Sequence, residues 1–102
     1  MIERVSGERY GAFLQRNIFA PLGMTATRVD DGRTLVPNRA TGYYWAANAF
    51  VHALPENVLL SLGAGGILST TSDLLRWDAA LRSDRLLARR SRDEMFTPVR
   101  NG

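Results

Sequence analysis

The side chains best placed for chemistry gather where a glycine-rich turn runs into a helix, over Gly63-Ala64-Gly65-Gly66-Ile67-Leu68-Ser69-Thr70-Thr71-Ser72-Asp73. Ser69 and Ser72 flank the helix start, where the positive end of the dipole would assist a nucleophilic oxygen. Neither has a partner base identifiable in the sequence, so the ordinary reading is a pair of capping hydroxyls. Thr70 fits the N-cap position, its hydroxyl accepting from the N–H of Asp73. Asp73 then completes a capping box, with Asp in place of the usual Glu. The glycines let the backbone take φ > 0 and approach a ligand closely. A phosphate loop is not expected, because no Lys follows and the spacing is not G-x-x-x-x-G-K. His52 is the single histidine; it could act as a base, but with no Ser or Cys nucleophile identifiable beside it, a surface-loop role is expected. Asp30-Asp31 could be an acid pair or a metal site. Adjacent residues rarely point the same way, and Gly32 follows, so a solvated turn is the better reading. With no cysteine, thiolate chemistry, disulfides and a metal site are not expected.

The elements that position these groups follow from apolar spacing. A helix is predicted from about Thr71 to Ser83, with Leu74, Trp77 and Leu81 on one face. Asp78 and Arg82 sit at i, i+4 with the acid first, a pairing worth a few tenths of a kcal/mol. Upstream, Met1 to Val5 reads as a helix tail broken at Ser6-Gly7. A second helix is predicted from about Glu8 to Phe19, with Tyr10, Phe13, Leu14 and Ile18 as its stripe. Pro21 should stop it, and Leu22-Gly23-Met24 should turn the chain. Tyr43, Tyr44, Trp45 and Phe50 read as core-filling aromatics, with a short strand near Gly42 to Trp45. Val58 to Leu62 is a brief apolar run, Leu86-Leu87 a short buried extension, and a last helix covers about Arg89 to Phe96, ended by Pro98. Thr25 to Pro37 shows no period.

Composition narrows the classes. At 102 residues the chain is at most one small domain, with 45% hydrophobic residues, which argues against disorder. The net charge is +3 and all thirteen basic residues are Arg. Acids lie between them, and only Arg85, Arg89, Arg90 and Arg92 cluster, so nucleic-acid binding is not expected. No run has the length of a membrane span. Glu3, Arg4, Glu8 and Arg9 interrupt any signal-peptide core, so none is expected in this stretch, and the compartment stays open.

Gly65-Gly66-Ile67-Leu68-Ser69-Thr70-Thr71-Ser72-Asp73-Leu74-Leu75-Arg76-Trp77 resembles the serine β-lactamase-like hydrolases: class C β-lactamases, DD-peptidases and related esterases. Other blocks agree in order and spacing. These are Ile2-Glu3-Arg4-Val5-Ser6-Gly7 with Tyr10, Phe13, Leu14, Ile18-Phe19, Pro21-Leu22-Gly23-Met24 and Thr27; then Val36-Pro37, Ala40 and Gly42-Tyr43; then Leu86-Leu87 with Met95-Phe96-Thr97-Pro98. The resemblance covers nearly the whole chain.

It implies a fold class: mainly α with one or two short strands, a single partial domain over 1–102. This would be part of the helical lobe of the β-lactamase-like α/β fold, without its central sheet. It also implies acyl transfer from β-lactam, amide or ester substrates to water in a complete parent, with no cofactor. In that family a Ser in S-x-x-K attacks, a Tyr in Y-x-N relays protons, and a K-T-G or H-x-G strand lines the oxyanion side. This chain has no Lys, so S-x-x-K cannot occur. Ala12, Trp45 and Ala46 follow Tyr10, Tyr43 and Tyr44 at the Asn position of Y-x-N, and Ala53-Leu54 follows His52, so the other motifs are absent too. No catalytic residue is therefore expected here. By the resemblance, Gly65 and Gly66 would line the substrate pocket of the parent. Class C enzymes carry Tyr at the position of Gly65, so the wider pocket resembles that of an esterase or peptidase. The alternative is a non-catalytic helical module that binds itself or a partner through Leu74, Trp77, Leu81, Phe13 and Leu14, an apolar face left uncovered.

Overall fold

The computed structural model describes residues 1–53 and 63–98. The predicted apolar run at Val58 to Leu62 falls wholly outside them. Helices α1 (Ile2–Ser6), α2 (Tyr10–Leu14) and α3 (Ala20–Leu22) come first, then strands β1 (Arg28–Val29), β2 (Tyr43–Ala46), β3 (Ala49–His52) and β4 (Ile67–Leu68), then helices α4 (Thr71–Leu81) and α5 (Arg89–Phe96). The strands form two sheets of two, β1 with β4 and β2 with β3. By its internal contacts the chain divides into two compact units, Met1–Arg28 with Leu68–Gly102, and Val29–Ile67.

In the first unit, α1 ends where the sequence breaks it. Ser6 donates its hydroxyl to Ile2 O at 2.8 Å, and Gly7 takes the left-handed conformation that L side chains resist. Glu3 then reaches forward to accept from the N–H of Tyr10 at 2.9 Å, capping α2 from a previous helix. The second helix departs from prediction. Gln15–Phe19 winds as a π turn between α2 and α3, and the helical path continues through Pro21 to Leu22. Two physical causes coincide. Leu14 and Phe19 are both buried, yet a spacing of five is about 1.4 turns of an α-helix, which would put them on different faces. A turn closed i→i+5 aligns them. Pro21 would also drive its ring into the carbonyl of Asn17 in a regular α-helix, and Asn17 lies within the wider turn. The buried residue is consequently Phe19, while Ile18 of the predicted stripe is half-buried.

The chain leaves α3 through a Schellman motif. Met24 N–H donates to Phe19 O at 2.8 Å and Gly23 N–H to Ala20 O at 3.1 Å, with Gly23 at φ 68°. Phe19 and Met24, the apolar pair that accompanies such motifs, are both buried, and with Leu14, Leu22 and Ala80 they make the apolar core among the described residues. α3 lies against α4. The covered side of α4 is Asp73, Trp77, Ala80 and Leu81: Trp77 and Leu81 of the predicted stripe lie on it, but Leu74 does not and stays 54% exposed. Leu86 and Leu87 are half-buried in a turn before α5.

The second unit carries a β-hairpin where one strand was predicted. β2 and β3 pair antiparallel with Tyr43 opposite His52 and Trp45 opposite Phe50. Ala47 and Asn48 turn the chain with φ of 48° and 64°, the signature of a two-residue type I′ loop. Ring pairs lie across the strands, Tyr43 with His52 at 4.6 Å and Trp45 with Phe50 at 4.9 Å. The expected core-filling role is not what these aromatics do: Tyr43, Tyr44, Trp45 and Phe50 are all exposed.

Candidate functional site

The helix start at Thr70 is built as the sequence predicts. Thr70 is extended and accepts from Asp73 N–H at 3.2 Å, and the α4 ladder opens with Leu74 N–H donating to Thr70 O at 2.9 Å. The other half of the capping box is replaced. The Asp73 carboxylate is engaged elsewhere: its Oδ2 accepts from Ala26 N–H at 2.9 Å and from the Thr27 hydroxyl at 2.8 Å. Its Oδ1 accepts from Arg76 Nη1 at 2.7 Å. Thr27 Oγ1 lies 2.8 Å from Ser69 Oγ. Asp73 is the most buried side chain described, at 1% exposure, and Thr27 is buried with it, whereas Ser69 and Thr70 are exposed.

Burial pushes the Asp73 carboxyl upward. The hydrogen bonds from Thr27, Ala26 and Arg76, with the Arg76 charge, outweigh that and hold it below its ordinary value. The proton positions follow. An ionised carboxylate only accepts, so Thr27 gives its single proton to Asp73 and Ser69 gives its own to Thr27. Ser69 thus faces a hydroxyl, not a base. The carboxylate one step further is a poor proton acceptor at neutral pH, because three donors already stabilise its charge. The chain of oxygens Ser69–Thr27–Asp73 has the outline of a relay and the energetics of a structural clamp. Ser72 is exposed on the first turn of α4.

Thr27, Ala26 and Arg76 had no local signal as site residues. Thr27 and Ala26 meet Asp73 across 46 and 47 residues, and Arg76 reads as an exposed residue of α4.

In the second unit, Gly65 is exposed and Gly66 half-buried. Gly63 and Gly66 have φ of 91° and 75°, so the turn uses the freedom for which glycine is required. Gly66 O accepts from Asp30 N–H at 2.8 Å. Asp30 corrects the expectation of a solvated acid pair. It is buried and held by Arg39 through two contacts, 2.6 Å to Oδ2 and 3.1 Å to Oδ1, with Gly32 N–H at 2.9 Å. Asp31 is exposed and folds onto Arg33 N–H at 2.9 Å and Thr34 N–H at 2.7 Å, as turn chemistry requires. His52 lies in β3 rather than in a loop, and is exposed. Among the described residues no group of three or more His, Cys, Asp or Glu is placed to hold a metal ion. Nor is any helix there long and apolar enough to cross a membrane. Within the arginine cluster, Arg92 pairs with Asp84 at 2.8 Å and Arg89 with Asp93 at 3.8 Å.

The chain matches known proteins over nearly its whole length. A family model described as Beta-lactamase matches residues 1–102, and the chain belongs to that family, a serine hydrolase-like one. It is 37% identical to "Penicillin-binding protein 4*" of Bacillus subtilis (strain 168), over 98% of this chain and 25% of that protein. It is 32% identical to "Putative penicillin-binding protein PbpX" of the same organism, over 96% of this chain and 25% of that protein. The chain spans about a quarter of the length of these curated relatives.

Proposed function

We propose that this chain is a segment of the helical lobe of a β-lactamase-like serine hydrolase, without the central sheet and inactive by itself. Acyl transfer to water, from β-lactam, amide or ester substrates, belongs in this reading to the complete parent. There Gly65 and Gly66 line the substrate pocket, and the exposed glycine at position 65 leaves room for an ester or peptide. The observation that carries the proposal is the state of the hydroxyls. The chain has no Lys to activate a serine, and the carboxylate behind Ser69 is already saturated by Thr27, Ala26 and Arg76. A serine without an acceptor for its proton is a weak nucleophile. Nitrocefin and p-nitrophenyl acetate test this. The expected rate is the same for the native chain and Ser69→Ala; turnover that Ser69→Ala abolishes would overturn it.

A second reading, a non-catalytic helical module that associates with itself or a partner protein, draws on one observation. Of the face expected to be uncovered, Leu14 is buried and Phe13, Trp77 and Leu81 are half-buried, whereas Leu74 and Leu75 on α4 and Met95 and Phe96 on α5 are 54%, 70%, 51% and 62% exposed, more apolar surface than two short helices need to show. Sedimentation velocity separates the two. A defined monomer or dimer with cooperative melting supports the module, and a molten or aggregating product supports the segment.

A further inference from the structure

We infer that the Asp73–Thr27–Ser69 cluster is a latch that ties off the excursion of the chain between Arg28 and Leu68, so that the order of the second unit depends on it. The chain leaves the first unit after Arg28 and returns to it at Leu68. Thr27 is the last buried side chain before the departure, and Ser69 is the residue after the first one back. Their hydroxyls meet at 2.8 Å across 42 residues of sequence. Asp73 then grips the outgoing limb at two atoms, the Ala26 N–H and the Thr27 hydroxyl, from a helix that the returning limb caps through Thr70. All three long-range bonds therefore sit at the neck of one loop.

The described part of the loop supplies little burial of its own. Among the described residues of the second unit Asp30 is the buried side chain, and no apolar side chain there is buried. A two-stranded hairpin without an apolar face to pack is marginal in water. Holding the ends of a loop together removes closure entropy that its own contacts would otherwise have to overcome. Releasing the neck therefore opens the excursion before it opens the helices, which keep their core of Leu14, Phe19, Leu22, Met24 and Ala80.

Trypsin reads this directly on the full chain, because the absence of Lys confines cleavage to arginine. Arg33 and Arg39 report on the second unit, Arg76 and Arg82 on the first. Thr27→Val keeps the shape and removes the hydroxyl. It is expected to speed cleavage at Arg33 and Arg39 by at least about tenfold, since cleavage follows the open population and one bond to a charged group is lost. Cleavage at Arg76 and Arg82 should change by less than about twofold. Ser69→Ala, which removes the outer hydroxyl, should act the same way more weakly, and Thr27→Ser should restore the native pattern. Equal acceleration at all four sites, as a variant that fails to fold would give, overturns the latch. So does an unchanged rate at Arg33 and Arg39, or a Thr27→Ser variant that behaves like Thr27→Val.

Discussion

The π turn over Gln15–Phe19 makes a prediction opposite to that of a regular helix, and two alanine substitutions decide between them. In a regular α-helix carrying Tyr10, Phe13 and Leu14 on its inner face, Ile18 continues the stripe and Phe19 turns away. In the structure Phe19 is 5% exposed and Ile18 only half-buried. Phe19→Ala should therefore cost about 3–5 kcal/mol, the usual price of emptying a fully buried aromatic site. Ile18→Ala removes fewer atoms from a partly wet site and should cost about 1–2 kcal/mol. A domain of this size is stabilised by roughly 5–15 kcal/mol. Five apolar side chains are buried among the described residues, which points to the lower end of that range. Phe19→Ala should then bring the first unit close to unfolding at 25 °C, while Ile18→Ala only lowers its midpoint. Urea titration followed by circular dichroism at 222 nm measures both. An Ile18→Ala loss equal to or larger than that of Phe19→Ala would show that the helix keeps α phase through Phe19, and the account of Leu14 and Phe19 sharing a face would fail.

Three further outcomes follow from single atoms. Asp73 titrates below its ordinary value of 3.8 in the folded chain, so its contribution is complete above the unfolded pKa and is lost as pH falls through the folded one. Thermal melts should weaken below about pH 4, and Asp73→Asn should lose stability at pH 7 and flatten that dependence; an unchanged acid limb would show that another group sets it. Gly23 sits at φ 68° with nothing within 4 Å of an added Cβ. Gly23→Ala should therefore cost only the left-handed penalty of about 1–2 kcal/mol, read as a lower urea midpoint. Ala47, at φ 48° in the hairpin turn, occupies a position that favours Asn or Gly. Ala47→Asn should tighten the hairpin by about 0.5–1 kcal/mol, seen as slower amide exchange in Tyr43–Ala46 and Ala49–His52.

The sequence exposed what is decided by neighbours along the chain. Thr70 as cap, the break at Ser6-Gly7, the Asp78–Arg82 pair at 3.0 Å and the extent of α5 all depend on residues within a few positions of each other. What stayed hidden depends on partners far away or on weak turn chemistry. The hairpin was masked because Ala47-Asn48 lacks the glycine that advertises a type I′ loop. β1 and β4 are two residues each, too short to show a period. The π turn was invisible because Ile18 completes a plausible α stripe on spacing alone. Asp73 was legible as a cap residue but not as a clamp, since only folding brings Ala26 and Thr27 to it. Family likeness marked the whole stretch, and it did so through 65–77 together with the blocks at Ile2 to Thr27, Val36 to Tyr43 and Leu86 to Pro98 rather than through any catalytic group.

The division between satisfied and unsatisfied groups carries the functional argument furthest. Polar requirements are met locally: among the described residues no buried side-chain nitrogen or oxygen lacks a hydrogen-bond partner. Apolar requirements are not met, with Leu74, Leu75, Met95 and Phe96 in the first unit and Tyr43, Trp45 and Phe50 in the second exposed. Caps and turns act over a few ångströms and are complete as soon as their own segments fold, and the Asp73 clamp is complete once the chain brings Ala26 and Thr27 to it. Apolar faces are complete only when another surface covers them, because their stabilisation scales with the area removed from water. Finished caps beside uncovered apolar faces are what both proposed readings expect, the segment from its parent's sheet and the module from its partner. The same accounting explains the low pKa of Asp73: a carboxylate that satisfies three donors is stable as an anion, and that stability is what disqualifies it as a base for Ser69.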